Sequence, residues 1–239
     1  MVPVPYLLGR ALALVVLFLG CGDAGSGPAT ATAAEEAGPL AATGAPGEEP
    51  RQAILFVGTS LTAGYGLPAT QSYPARIQER LAEQGLADRF RVVNAGVSGD
   101  TSAGARRRIG WLLQQPVAAV VLELGANDML RGQDPDELRA NLQAIIDQIR
   151  APFPQAPILI AGMQAAPNLG SEYARAFERV YGQLARSNSV ALLPFILEDV
   201  AGDPELNQAD GIHPTAEGQR VVSESVWAAL QPLLGAPER

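Results

Sequence analysis

Five short apolar runs, rich in branched side chains, constrain the fold of this 239-residue chain more than any other feature. Runs of this length, bounded by glycine and polar residues, are typical of strands that are buried on both faces. They therefore predict a parallel sheet that is covered on both sides. The runs are AILFV (53–57), RVVNA (91–95), AAVVLEL (118–124), PILIAGM (157–163) and ALLPFI (191–196).

Amphipathic segments of helical length alternate with these runs. One of them opens with Asp134 and Pro135, a typical helix start in which aspartate is the cap and proline lies in the first turn. The alternation predicts an α/β fold, a three-layer α/β/α sandwich with a five-stranded parallel sheet, in a single domain over residues 51–236. The predicted helices span residues 72–85, 101–115, 134–149, 171–187 and 215–234.

Charge and composition restrict the possible partners. The formal net charge is -8, and all 17 basic residues are arginine. A nucleic-acid-binding protein normally carries a basic surplus or stripe, so we expect no nucleic-acid partner. We interpret the one basic run, residues 106–108, as a solvated helix face. One cysteine and one histidine cannot furnish the usual nitrogen and sulfur ligands of a zinc site, so we expect no metal.

The amino-terminal segment has the layout of a secretory signal over residues 1–20, with a weakly positive start and an apolar run at 11–19. That run is about half of the roughly 20 residues that a membrane-spanning helix needs. The stretch FLGC (18–21) resembles a bacterial lipobox, which implies a lipid on Cys21. Gly22 at the next position indicates anchoring to the outer membrane, with the protein facing the periplasm.

Two alternatives to this lipoprotein interpretation stay open. Ordinary signal cleavage would give a soluble periplasmic protein, and the start could instead be mis-assigned or the anchor uncleaved. Residues 22–50 are nearly all Ala, Gly, Pro, Thr, Ser and Glu. Such a segment has almost no bulky apolar group to bury and cannot offset the entropy of ordering it. We therefore expect residues 21–50 to be a lipidated Cys21 followed by a flexible linker. The lipid on Cys21 is expected to be the protein's only link to a membrane.

Polar, glycine-containing loops follow four of the predicted strands. In parallel α/β sheets, ligands bind beyond the carboxyl ends of the strands. We therefore expect these loops to converge on one edge of the sheet. They are GTSLTAGYG (58–66), GVSGDTS (96–102), GANDMLRG (125–132) and DGIHP (210–214).

His213 is the only histidine in the chain, so no other imidazole is available for proton transfer near neutral pH. Ser60 lies two residues past Gly58, where the first predicted strand ends, and a serine hydroxyl needs a base within hydrogen-bond reach to act as a nucleophile. Asp210 could hold the His213 ring in one tautomer. The alternative interpretations are a helix cap for Ser60 and a plain turn for Asp210 and His213.

Acyl transfer also needs hydrogen-bond donors for the oxygen that becomes negative in the transition state. We predict that the backbone N–H groups of Ser60 and Gly99 and the side-chain amide of Asn127 supply them. Alternatively, Gly99 marks a tight turn that requires a positive φ, and Asn127 is a turn or cap residue. We interpret Asp100 and Asp128 as loop and cap residues.

The four loops resemble, in order and spacing, the four sequence blocks of the SGNH or GDSL hydrolases, most closely the bacterial thioesterase, arylesterase and lysophospholipase type. The resemblance covers residues 53 to about 234 and implies a flavodoxin-like strand order. The block named for Gly-Asp-Ser-Leu carries Thr59 here in place of the aspartate. The roles implied are Ser60 as nucleophile, Asp210 and His213 as the rest of a triad, and Ser60, Gly99 and Asn127 as the oxyanion hole.

Together these features predict a serine esterase that hydrolyses a small-molecule carboxylic ester or thioester through an acyl-enzyme, without a cofactor. The loop at 164–173 is predicted to wall the acyl pocket. A carbohydrate O-deacetylase or an acyltransferase on the same fold is an alternative. A non-catalytic flavodoxin-like module would use residues 58–64 to bind phosphate or flavin, but it gives His213 no role. An α/β-hydrolase is disfavoured because no G-x-S-x-G elbow surrounds Ser60.

Overall fold

A five-stranded sheet forms the centre of the computed structural model, which describes residues 51–235. Its strands are β1 (Gln52–Gly58), β2 (Phe90–Gly96), β3 (Val117–Glu123), β4 (Ile158–Ala161) and β5 (Ala191–Leu193). All neighbouring strands are parallel, in the order β2-β1-β3-β4-β5. The predicted parallel sheet and its flavodoxin-like order are therefore confirmed. The predicted signal segment, Cys21, the linker and residue 236 lie outside the described residues.

The five predicted helices are all present in the described part of the chain, together with two short helices that we did not predict. The short ones, α1 and α4, have 4 and 5 residues, too few for a hydrophobic period to appear in the sequence. None of the helices between residues 51 and 235 is both long and apolar enough to cross a membrane. The helices are α1 (Ser60–Ala63), α2 (Tyr73–Glu83), α3 (Ser102–Leu112), α4 (Ala126–Leu130), α5 (Pro135–Arg150), α6 (Ser171–Asn188) and α7 (Ala216–Leu230).

The core lies around the central strands. Residues 53–57 of β1 have no solvent exposure, as expected for a strand covered on both faces. The longer helices pack in two groups: α3 contacts α5 and α5 contacts α6, whereas α2 contacts α7. The predicted α/β sandwich is confirmed. Its apolar interior leaves the loops at the strand ends as the place for polar chemistry.

The last two strands end earlier than predicted. β5 stops at Leu193 because Pro194 follows it, and proline has no N–H to donate to a neighbouring strand. β4 stops at Ala161, although the N–H of Gly162 still donates to the carbonyl of Leu193 at 2.8 Å. The predicted ranges of 157–163 and 191–196 were therefore too long.

The register of the two pairings of β1 decides where the polar loops go. Gly58 at the end of β1 pairs with Gly96 of β2 on one side and with Glu123 of β3 on the other. Three strands therefore end level with one another. The segments that follow them emerge side by side at one edge of the sheet, as the sequence predicted.

Candidate active site

Ser60, His213 and Asp210 form a continuous hydrogen-bonded chain at this edge. Ser60 is the first residue of α1, and the other two lie on the loop before α7. The Nε2 atom of His213 lies 2.9 Å from Ser60 Oγ, and its Nδ1 atom lies 2.7 Å from Asp210 Oδ2. The structure thus brings together three side chains that are up to 153 residues apart in sequence.

The loop around Asp210 holds this carboxylate by its own backbone. Asp210 Oδ1 accepts hydrogen bonds from the N–H groups of Ile212 and His213 at 2.9 and 3.0 Å. The N–H and the ring of His213, followed by the N–H of Ile212, keep the pKa of Asp210 well below its usual range. The carboxylate therefore faces Nδ1 as an acceptor, which assigns the ring proton to Nδ1 and leaves the Nε2 lone pair toward Ser60.

Two residues that the sequence analysis missed support the histidine. The ring of Tyr65 packs against the ring of His213, with 4.5 Å between the ring centroids. The side-chain amide of Gln208 donates to the carbonyls of Tyr65 and Pro214, at 2.8 and 2.9 Å. Gln208 thus ties the loop after Ser60 to the loop of His213. No pattern in the sequence distinguishes such a glutamine, because its role depends on two carbonyls that only the fold brings near it.

The three predicted donor residues lie on the segments that follow β1, β2 and β3 at this edge. Gly99 has a φ of +78°, the left-handed conformation that favours glycine. The backbone N–H groups of Ser60 and Gly99 have no acceptor among residues 51–235. The amide of Asn127 donates one hydrogen to the carbonyl of Asp100 at 2.9 Å, which leaves its second hydrogen for another acceptor. Arg131 donates to the carbonyl of Gly99 at 2.8 Å and so links these loops again.

The basic run at residues 106–108 is only partly the solvated face that we predicted. Arg106 and Arg107 are exposed, but Arg108 is half-buried. Arg108 forms an ion pair with Asp100 at 2.8 Å and donates to the carbonyl of Gly58 at 3.3 Å. Arg108 and Asp100 therefore join the loop after β2 to the end of β1. Asp100 is thus more than the loop residue that we predicted.

Asp128 caps a helix other than its own. Its carboxylate is buried and accepts hydrogen bonds from both the N–H and the hydroxyl of Ser102, the first residue of α3. The side-chain amide of Asn141 on α5 donates to the same hydroxyl at 3.1 Å. Asp128 follows Asn127 directly, so this contact fixes the short helix α4 relative to α3.

Glu123, which the sequence analysis did not select, is a fully buried carboxylate beneath the turn of Ser60. It is the last residue of β3 and accepts hydrogen bonds from Thr59, from the N–H at 2.9 Å and from the hydroxyl at 2.9 Å. Burial raises the pKa of Glu123, against the opposing effect of these hydrogen bonds. In the sequence it is the one charged residue of the apolar run at 118–124, and a charge in a strand that is expected to be buried is the signal that could have selected it.

Residues 56–221 match the family described as the GDSL-like lipase/acylhydrolase family. The chain belongs to this family. The predicted resemblance is thereby confirmed, and the protein is an ester-bond hydrolase. The match begins within β1 and ends within α7, and it therefore includes all four loops that meet at the candidate site.

Named relatives agree with this assignment. The chain is 46% identical to esterase TesA of Pseudomonas aeruginosa over 184 residues, which are 77% of this chain and 90% of that protein. It is 37% identical to an arylesterase of Vibrio mimicus, over 74% of this chain and 87% of the relative. It is 36% identical to a thioesterase 1/protease 1/lysophospholipase L1 of Escherichia coli, over 76% and 84%.

Solved structures agree as well. The crystal structure of TesA superimposes with a TM-score of 0.72 and covers 77% of this chain and 100% of that one. AlinE4, an SGNH-hydrolase family esterase, superimposes with a TM-score of 0.64 at 41% identity, covering 79% of this chain and 99% of that one.

The raised pKa of Glu123 gives a prediction about stability. At a pH between the usual pKa of a carboxyl group and the raised pKa of Glu123, the folded protein binds a proton that the unfolded chain does not. The folded state is therefore stabilised as the pH falls into this range. Glu123→Gln cannot bind this proton. We expect the free energy of unfolding of the native protein, relative to that of Glu123→Gln, to increase as pH is lowered from 8 toward about 5.

Urea unfolding of both proteins across this pH range measures the difference. Asp199→Asn, which neutralises an exposed carboxylate, is the matched control for a general effect of charge. A difference between the native protein and Glu123→Gln that stays constant with pH would contradict the prediction.

Proposed function

We propose that this hydrolase is a serine esterase that cleaves carboxylic esters or thioesters through an acyl-enzyme, with Ser60, His213 and Asp210 as its triad. The observation that carries the proposal is the pair of contacts of His213, 2.9 Å to Ser60 Oγ and 2.7 Å to Asp210 Oδ2. A hydroxyl, a base that can accept its proton and a carboxylate that orients the base are the components of nucleophilic acyl transfer.

The acylation step follows from this geometry. Ser60 Oγ attacks the carbonyl carbon of the substrate as its proton passes to His213 Nε2. The ring then carries a positive charge, which Asp210 stabilises through Nδ1. When the tetrahedral intermediate collapses, Nε2 gives the proton to the leaving alcohol or thiol, and the acyl group stays on Ser60. A water molecule repeats the cycle in the second half, which releases the acid and restores the hydroxyl.

The oxyanion that forms in each half-reaction is stabilised by the N–H groups of Ser60 and Gly99 and by the free hydrogen of the Asn127 amide. Each donor of this kind is worth about 100- to 1,000-fold in rate, because it is oriented before the charge develops. The bonds from Asn127 to the carbonyl of Asp100 and from Arg131 to that of Gly99 support this role, since they hold two donors in place.

One observation counts against the phosphate-binding alternative. Such a module would need free N–H groups at the start of α1. The N–H groups of Thr59 and Thr62 instead donate to the carboxylate of Glu123, at 2.9 and 3.3 Å. A phosphate at this position would lie next to the buried carboxylate of Glu123, which already accepts these two N–H groups. O-Deacetylation and acyl transfer use the same triad, and comparing initial rates on acetylated sugars, thioesters and aryl esters separates them.

The exposed apolar residues support a substrate with an apolar acyl or aryl group. Five large apolar side chains are at least 45% exposed among the described residues, and four of them lie on the segments that carry the proposed site. Exposed apolar side chains grouped in this way are typical of a ligand-binding surface. We name these four the apolar rim. Its members are Tyr65, Val97, Leu130 and Ile212.

Ser60→Ala tests the nucleophile. We expect it to fold like the native protein and to lose turnover of p-nitrophenyl esters by about a thousandfold or more, because no other group can form the acyl-enzyme. Labelling by a fluorophosphonate should disappear at the same time. Ser187→Ala, which alters an exposed serine on α6, is the control and should keep both properties. Labelling of Ser60→Ala at another serine would refute the assignment.

The apolar rim predicts a dependence on acyl-chain length. Leu130→Gln should raise KM for p-nitrophenyl octanoate by about five- to tenfold, as expected when one or two methylene groups lose their apolar contact. The KM for the acetate ester should change less than about twofold. Trp111→Gln, which alters the exposed apolar residue outside the rim, is the control. Equal effects on both esters, or an equal effect of Trp111→Gln, would contradict the prediction.

We also propose that the chain is exported through a signal at residues 1–20 and anchored to the outer membrane by a lipid on Cys21. The linker at 21–50 then tethers a catalytic domain that spans residues 51–236. We expect Cys21→Ser to move the protein from the membrane fraction to the soluble fraction, without changing its esterase activity. Fractionation of cells that express either form measures this. Retention of the variant in membranes would contradict the lipid anchor, and release of the native protein would favour the soluble periplasmic alternative.

A further inference from the structure

Two threonines on either side of Ser60 donate to one buried carboxylate. Besides its bonds from Thr59, Glu123 accepts a hydrogen bond from the hydroxyl of Thr62 at 2.8 Å and one from its N–H at 3.3 Å. All three residues have no solvent exposure. The turn that presents Ser60 is therefore attached to the end of β3 on both sides of the serine.

The N–H and hydroxyl groups of Thr59 and Thr62 all donate to the carboxylate of Glu123. The two N–H groups can only donate, and an ionised carboxylate is an acceptor at both oxygens, so it satisfies all four donors. The hydroxyl of Tyr73 lies 2.8 Å from Thr62 Oγ1 and can donate to it, which leaves the Thr62 hydrogen for Glu123. A neutral acid or an amide at position 123 would direct one of its own hydrogens toward these donors.

The backbone makes room for this contact at Gly58. A Cβ atom at this position would lie 2.0 Å from Thr62 Oγ1 and 2.7 Å from Glu123 Oε2. Only glycine lets the end of β1 approach Thr62 and Glu123 so closely. This close approach explains why glycine is the first residue of the family block.

We propose that Glu123 is a positioning residue for Ser60: by holding Thr59 and Thr62, it fixes the Ser60 hydroxyl at hydrogen-bond distance from His213. This inference rests on the proposed role of Ser60 as nucleophile. It also accounts for Thr59, because a threonine hydroxyl donates to Glu123, whereas an aspartate would set a second carboxylate against it in a buried site.

Hydrogen bonds, rather than a cation, compensate the charge of Glu123. The ionisable groups that face it are Tyr73 on α2 and Tyr181 on α6, and burial raises the pKa of both well above the usual value, so both stay neutral. Arg108 on α3 reaches the neighbouring carbonyl of Gly58 but pairs with Asp100. Each hydrogen bond that a threonine hydroxyl donates is therefore important for keeping the carboxylate in place.

A matched pair of substitutions at Thr59 tests the proposal. Thr59→Val keeps the shape of the side chain and removes the donor, whereas Thr59→Ser keeps the donor. We expect Thr59→Val to lower kcat by about ten- to a hundredfold, because small displacements of a reacting atom have large effects on rate, with KM within about twofold. Thr59→Ser should stay within about threefold of the native kcat. Glu123→Gln, which disrupts the same contacts, should lower kcat as Thr59→Val does.

Two further variants make each outcome decisive. Ile145→Ala removes fully buried apolar contacts on α5 and is the control for lost stability alone, so its kcat should not fall. The proposal is overturned by a native kcat in Thr59→Val, by an equal loss in Thr59→Ser, or by an equal loss in Ile145→Ala. Ser60→Ala distinguishes a failure of the proposed function from a failure of the role of Glu123. If it keeps turnover, the proposed function fails, whereas an inactive Ser60→Ala beside a fully active Thr59→Val rejects only the role of Glu123.

Discussion

The level ends of three parallel strands are the constraint on which the rest of this structure depends. Gly58, Gly96 and Glu123 are paired across β1, β2 and β3, so the segments that follow them start from one line. β1 and β3 are buried along most of their length. Such strands cannot slip in register without moving apolar side chains out of contact. The packing of the apolar core thus sets where the segment of Ser60 starts relative to the donor loops.

Hydrogen bonds and one ion pair then connect the loops to one another. Gln208 joins the segments of Ser60 and His213, Arg108 joins the loop after β2 to β1, and Arg131 joins α4 to the loop of Gly99. Surface loops are generally more mobile than the elements they connect, and these cross-links restrict the movement of the loops. Rigid placement matters for an ester hydrolase, because donors that are already oriented stabilise the transition state most.

Much of the fold could be predicted because its signals are local. Apolar runs of strand length alternate with helical periods, and this alternation is enough to indicate a parallel sheet with covered faces. The features that escaped prediction are those with weak local signals. α1 and α4 are too short to show a period, and β5 ends at Leu193 although the apolar character of the sequence continues. Ser60, Asp210 and His213 could be selected because the chain has one histidine, and because the end of a parallel strand is where a site is expected.

The sequence by itself determined the kind of fold, the family and the small set of polar residues from which a site could be built, since each of these depends on residue type and spacing along the chain. Only the tertiary structure decided which of those residues meet, and it added Glu123, Gln208 and Tyr65, which no spacing indicates. The physical reason is that a hydrogen bond or a ring contact depends on distances of a few ångströms between atoms that are remote in sequence. Such distances are set by how the sheet and its helices pack together, and residue order alone does not encode them in any pattern that can be read locally.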